Sequence, residues 1–168
     1  VGTVEVTRDI TAEKEAQKAV QESEKKYRNL AENLSCVAYR ADPETFETTY
    51  INSAVKDIYG YTPEEWLASP TMWKDTVHPE DRDRVMAAIK EFTRTGRPES
   101  IVYRICRKDG TVRWVRDDWA WQKQEDGSPV AFTGVTYDIT QRKRAQDSLE
   151  SANAVLERVF DTIHVMIA

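Results

Sequence analysis

Apolar positions along this 168-residue chain follow a helical period at both ends and a strand period between them. From Ala12 to Asn33 the sequence is rich in Glu, Lys, Gln and Ala and has no Gly or Pro, and its small or apolar positions Ala16, Val20, Ser23, Tyr27, Leu30 and Leu34 alternate spacings of four and three. That is a heptad seam, and it predicts a helix with one sticky stripe. Ala145, Leu149, Ala152, Leu156, Val159 and Ile163 repeat the spacing with a more apolar set. Thr11 and Thr140 precede the two stretches where an N-cap hydroxyl is expected to accept an orphan backbone N–H. Such a stripe serves a partner helix in a coiled coil or faces a core as a solvated spacer, and fewer than four heptads leaves both readings open.

Between the seams the pattern is mixed. Val37 to Arg40 and Thr48 to Ile51 read as short strands around an Asp42-Pro43 turn, and Ser53 to Tyr59 as a short helix stopped at Gly60. Thr62-Pro63-Glu64-Glu65 combines an N-cap, a proline at the first helical position and a Glu at the third, so a helix starts there. His78-Pro79-Glu80-Asp81 repeats the device and opens a longer helix with Val85, Ile89 and Phe92 on one face, ending at Thr95-Gly96. Ile101, Tyr103 and Ile105 then alternate with Val102, Arg104 and Cys106, Asp109-Gly110 makes a tight turn, Val112 to Gln124 runs back, and Asp126-Gly127 turns into Val130 to Ile139. Strands, helices and a three-stranded meander predict an α+β domain, one sheet with helices over one face. Trp114 is out of step with Trp119 and Trp121, which predicts a bulge or a strand presenting tryptophan on each face.

The chain also repeats itself. Val6-Thr7-Arg8-Asp9-Ile10-Thr11 returns as Val135-Thr136-Tyr137-Asp138-Ile139-Thr140, and Ala16-Gln17 as Ala145-Gln146, an offset of 129 residues throughout. A constant offset is the mark of an array of like units. The expected organisation is residues 1–11 closing a preceding unit, 12–33 a linker helix, 34–140 one whole domain, 141–162 a second helix and 163–168 the opening of a following unit, all within a longer parent.

Composition narrows the chemistry. Lysine and arginine total 24 against 29 acidic residues, net charge −5, with no basic stripe, so nucleic acid is not an expected partner. No apolar run is long enough to span a bilayer and the N-terminus lacks a signal-peptide layout, which reads as a cytoplasmic fragment without membrane contact, whatever anchors the parent elsewhere. Cys36 and Cys106 sit in no ligand spacing. The two histidines, His78 and His164, compose no metal triad or nucleophile–base set, and six scattered glycines make no phosphate loop, so the fragment is read as non-catalytic.

Taken in order, Tyr50-Ile51-Asn52, Tyr59-Gly60-Tyr61-Thr62-Pro63-Glu64-Glu65, His78-Pro79-Glu80-Asp81, Arg107-Lys108-Asp109-Gly110 with Arg113-Trp114, and Asp138-Ile139-Thr140 resemble the successive motifs of a PAS domain with its C-terminal PAC segment. The resemblance spans about two thirds of the chain, from Leu34 to Thr140. It implies a five-stranded antiparallel sheet in order 2-1-5-4-3 and helices around a ligand cavity, for which Tyr39, Tyr50, Ile58, Trp66, Trp73, Val85, Ile89, Tyr103, Trp114, Trp121 and Thr133 are candidates. Aromatic residues at this density either line such a cavity or simply fill a small core.

The same resemblance implies a signal relay at Asp138, Ile139 and Thr140, with Asp138 expected to pair with a basic group such as Arg107 or Lys108 and Thr140 to cap the helix. Haem-binding relatives use a histidine on the long helix, which has none here, and His78 reads as a cap; the flavin photoreceptors carry a helix cysteine that Ser53 to Gly60 lacks. No cofactor is therefore expected. An unidentified small molecule remains a candidate ligand, and a noncovalent flavin a lesser one. The expected function is a sensory or regulatory module of a multi-domain signalling protein, a sensor histidine kinase ahead of a diguanylate cyclase or phosphodiesterase, dimerising through Ala16, Val20, Tyr27, Leu30, Leu149, Leu156 and Val159 and adjoining further PAS and output domains. A ligand-free structural spacer and a flavin or haem redox sensor are the alternatives.

Overall fold

The computed structural model describes residues 34–167 together with residues 14, 17, 18, 22, 31 and 32, which are helical apart from Leu34 and the non-helical stretches of the domain. Two units separate, Val1–Leu34 and Ser35–Ala168, and the second holds the domain. The seam positions Ala16, Val20, Tyr27 and Leu30, the cap Thr11 and the boundaries placed before residue 31 lie outside the described residues, as does the side chain of Val159.

In the second unit β1 (Val37–Ala41) and β2 (Thr48–Ile51) precede three short helices, α1 (Val55–Tyr59), α2 (Pro63–Leu67) and α3 (Met72–Asp75). A 3-10 turn at Pro79–Asp81 leads into α4 (Arg82–Thr95), followed by β3 (Glu99–Cys106), β4 (Val112–Lys123), β5 (Pro129–Asp138) and the long helix α5 (Thr140–Ile167). The strands form one antiparallel sheet in the order β2-β1-β5-β4-β3, the order that the family resemblance implies.

Alternation sets which face is covered. Val37, Tyr39 and Ala41 of β1, Ile101, Tyr103 and Ile105 of β3, Val115, Asp117 and Trp119 of β4 and Phe132 and Thr136 of β5 point inward, because successive strand side chains take opposite faces. Helix α4 lays Val85, Ile89 and Phe92 on that face at helical spacing. Phe92, wholly buried, stacks on Trp121 at 4.9 Å between ring centres and meets Trp119 and Phe132 edge-on. The register of β3 on β4 is continuous from Glu99↔Trp119 to Cys106↔Val112, so no bulge separates Trp114 from Trp119. Trp114 takes the outer face, where the Arg104 guanidinium and the Lys143 ammonium approach its ring. The irregularity of β4 falls at Gln122/Lys123, against β5.

The helix signals act as their chemistry requires. Thr62 Oγ1 accepts from Glu65 N at 3.3 Å while Glu65 Oε2 accepts from Thr62 N at 3.0 Å, a complete capping box. His78 Nδ1 accepts from Glu80 N and so caps the 3-10 turn. Asp81 then turns away from its own helix: its carboxylate takes the Arg104 backbone N–H at 2.7 Å and the guanidinium at 3.0 and 3.1 Å, tying α4 to β3. Asn52, fully buried, accepts from Ala38 N and donates to Cys36 O, both at 3.0 Å, fixing the end of β2 to the start of β1. The loop between these strands holds Phe46 at φ 60, a left-handed conformation costly for a bulky residue. Asp42 Oδ1, accepting from Glu44 N and Thr45 N, and Phe46 N, donating to Asp42 O, set that conformation, which turns the Phe46 ring onto Phe132 and Trp121.

Candidate functional site

Under the helices, the inner face lines a partly open cavity of about 40 Å³. That is space for about three waters, at 10–15 Å³ each, and roughly a tenth of an ordinary ligand pocket. Of the residues expected there, Tyr39, Trp66, Trp73, Val85, Ile89 and Tyr103 line it. The others do not. Ile58 is buried in the core behind the wall, Trp121 is taken up by Phe92, Trp114 is on the outer face, Tyr50 pairs with Arg40 on the outward parity of β2, and the Thr133 hydroxyl donates to Ala120 O across the sheet.

The polar end of the cavity was not anticipated. Asp117, 4% exposed, accepts from Tyr103 Oη at 3.0 Å, from Thr136 Oγ1 at 3.0 Å and from Tyr39 Oη at 3.2 and 3.3 Å. Burial pushes its carboxyl above the usual carboxylate range, and the Trp119 indole with the three hydroxyls acts in the opposite sense. Burial first, and then the Asp117 charge, likewise raise the phenols of Tyr39, Tyr59 and Tyr103. No lysine, arginine or histidine lines the cavity among the described residues. The signal for Asp117 was parity: it shares the inward face of β4 with Val115 and Trp119.

Tyr39 can reach Asp117 only because residue 134 has no side chain. A Cβ at Gly134 would stand 2.3 Å from Tyr39 Cζ and Oη, far inside contact distance, so the phenol lies flat across the β5 backbone.

The second feature is the junction of β5 and α5. Asp138 Oδ2 pairs with Arg113 Nη1 at 2.6 Å, not with Arg107 or Lys108. Those two are engaged elsewhere: Arg107 donates to Ile58 O and pairs with Asp109, and Lys108 pairs with Glu65 over the Tyr61 ring. Asp138 Oδ1 accepts from Thr140 N at 2.8 Å, so the cap on the first turn of α5 is the aspartate, while Thr140 Oγ1 accepts from Trp114 N at 3.0 Å. Ile139 N donates to Trp114 O at 2.9 Å, so all three residues of the expected relay grip β4 or its side chains. Burial pushes the Asp138 carboxyl up, but the bonds from Thr140 and Arg113 outweigh it and the net direction is down.

Arg113 also donates to Asp57 O at 3.0 Å, beside the Arg107 guanidinium on Ile58 O and Lys108 N on Tyr59 O. Cationic and N–H donors thus collect the orphan carbonyls at the end of α1, where the helix dipole favours them. Gly60, at φ 85, ends α1 and brings its backbone against Lys108. Tyr59, the last residue of α1, lines the cavity.

A sheet of this order, a core cavity and an Asp-Ile-Thr junction into a long helix define one α+β module. The family model of the PAS fold matches residues 48–136, more than half of the chain, and the chain belongs to that family. It is 34% identical over 72% of its length to a methyl sulfide methyltransferase-associated sensor of Methanosarcina acetivorans, and 36% identical over 53% of its length to a blue-light-activated histidine kinase of Brucella ovis. A sensory box histidine kinase/response regulator from Burkholderia thailandensis superposes with a TM-score of 0.64 and 27% identity, over 79% of this chain and 98% of that one. The chain spans only 12% and 17% of the two curated relatives' lengths. Among the described residues no helix is long and apolar enough to cross a membrane, and no group of three His, Cys, Asp or Glu side chains is placed to hold a metal.

Proposed function

We propose that this sensory PAS module is the input and relay element of a multi-domain histidine kinase, coupling the contents of the Asp117 cavity to the direction of α5. The observation that carries this reading is Arg113, whose guanidinium holds Asp57 O at the end of α1 and the Asp138 carboxylate at the start of α5. Tyr59 on α1 and Thr136 on β5, two residues before Asp138, both line the cavity, so a change inside it reaches the junction by two short routes. A ligand biases such an element only by binding its two states differently. Replacing Asp138 by Ala in the full-length parent is expected to leave the cavity intact and to change autophosphorylation, read as phosphate incorporated from radiolabelled ATP. Equal incorporation in the two proteins would remove the relay, and none in either would remove the kinase.

Dimerisation belongs to the same reading. Leu149, Val155 and Leu156 are more than half exposed on α5, and Leu149 and Leu156 sit seven residues apart on one stripe. Replacing both leucines by Ala is expected to shift the chain from dimer to monomer in analytical ultracentrifugation by tenfold or more in dissociation constant, at roughly 1–2 kcal/mol of lost burial per leucine. Unchanged association would place the dimer contact elsewhere.

A further inference from the structure

The Asp117 cavity has three properties that together specify a ligand. It contains a carboxylate with no basic side chain on its walls among the described residues. Its walls are aromatic on several sides, including Tyr39, Tyr59, Trp66 and Trp119, surfaces that attract a cation through their ring faces. Its third property is the Trp119 indole N–H, which is buried and close enough to Asp117 and Tyr39 to act on both groups, yet makes no well-formed hydrogen bond with either. A buried donor left unpaired is costly and is met in native proteins where something else completes the bond. The carboxylate asks for a cationic donor and the indole for an acceptor, and the volume of about 40 Å³ limits both to one small molecule.

We propose that this cavity is a binding site for a small amino alcohol, a molecule of about four or five non-hydrogen atoms whose ammonium faces Asp117 and whose hydroxyl oxygen accepts from Trp119 Nε1. The Tyr39, Tyr103 and Thr136 hydroxyls already donate to the carboxylate, which leaves their oxygen lone pairs for the remaining N–H bonds of the ammonium. The aromatic walls cover its methylene groups. Selectivity follows from both ends: a plain amine leaves the indole unpaired, and a diol leaves the carboxylate without a counter-charge.

This inference rests on the cavity being the sensory input proposed above, yet its test is separate from that of the relay. Uniformly 15N-labelled chain is titrated with ethanolamine, ethylamine and ethylene glycol at pH 7.5, following the indole N–H resonances, with that of Trp119 assigned by its loss in Trp119→Phe. Ethanolamine is expected to move the Trp119 resonance in a saturable manner, with the other two about tenfold weaker or more. Asp117→Asn is expected to abolish the preference for ethanolamine over ethylene glycol, and Trp119→Phe the preference over ethylamine, read on neighbouring backbone amides. No saturable shift, or equal binding of all three compounds by the unsubstituted chain, overturns the proposal whether or not either variant folds. A failed titration alongside an altered Asp138→Ala output removes the amino alcohol and leaves the sensory reading standing.

Discussion

Replacing Phe92 by Ala is expected to destabilise the domain by about 4 kcal/mol, within the range for emptying a fully buried phenylalanine site. Phe92 is 0% exposed and is the one α4 side chain in ring contact with Trp119, Trp121 and Phe132, on both β4 and β5. Its neighbours are large and interlocked, so the space it leaves does not collapse, and the lost contacts add to the lost transfer energy. Urea denaturation followed by tryptophan fluorescence should show a lower midpoint with an unchanged slope. Val112→Ala, at a position 41% exposed, is the control and is expected to stay within about 0.5 kcal/mol of the unsubstituted chain. A Phe92→Ala loss below about 2 kcal/mol would mean that α4 is not clamped to the sheet through this ring.

The second large effect is electrostatic. Three donors of Arg104 hold the Asp81 carboxyl down at about 2, against an ordinary value of 3.8. The folded value lies below the unfolded one, so the stability that this pair contributes is complete above about pH 4 and is lost as pH falls through about 2. Asp81→Asn is therefore expected to cost about 2 kcal/mol at pH 7, with the gap from the parent chain closing as the pH approaches 2. Thermal unfolding across that range measures it. Glu91→Gln, which breaks the exposed pair with Arg94, should change little at any pH, because an exposed ion pair gains little over its hydration. A pH-independent cost at Asp81 would assign its role to shape and not to charge.

Local chemistry was the legible part of this chain. The capping box at Thr62 and Glu65, the stop at Gly60, the His78 cap and the β3 alternation depend on neighbours a few residues away, and the structure has them as read. The partner of Asp138 was not legible, and the reason is a single extra residue. The irregularity at Gln122/Lys123 shifts β4 on β5 so that Asp138 stands opposite Val115. Counted from the Asp126-Gly127 turn without it, Asp138 would fall opposite Trp114 and Arg113 would point to the other face, because a one-residue slip exchanges the faces of a strand. Asp117 escaped for a related reason. An acidic residue reads as solvent-facing, and only the parity it shares with Val115 and Trp119 places it inside, where hydroxyls from three strands converge on it. The α1 carbonyls that gather Arg107 and Arg113 carry no sequence signal, since any residue supplies a carbonyl.

Helix α5 is long compared with its attachment to the sheet. It runs 28 residues from Thr140, about 42 Å at 1.5 Å per residue, while its grip on the sheet is confined to its first turn, about 5.4 Å. A rigid lever with those arms multiplies displacement by about eight. Under the proposed relay, a 1 Å displacement of the first turn about a pivot at Thr140 would swing the far end of a rigid α5 by about 8 Å, close to the width of a helix.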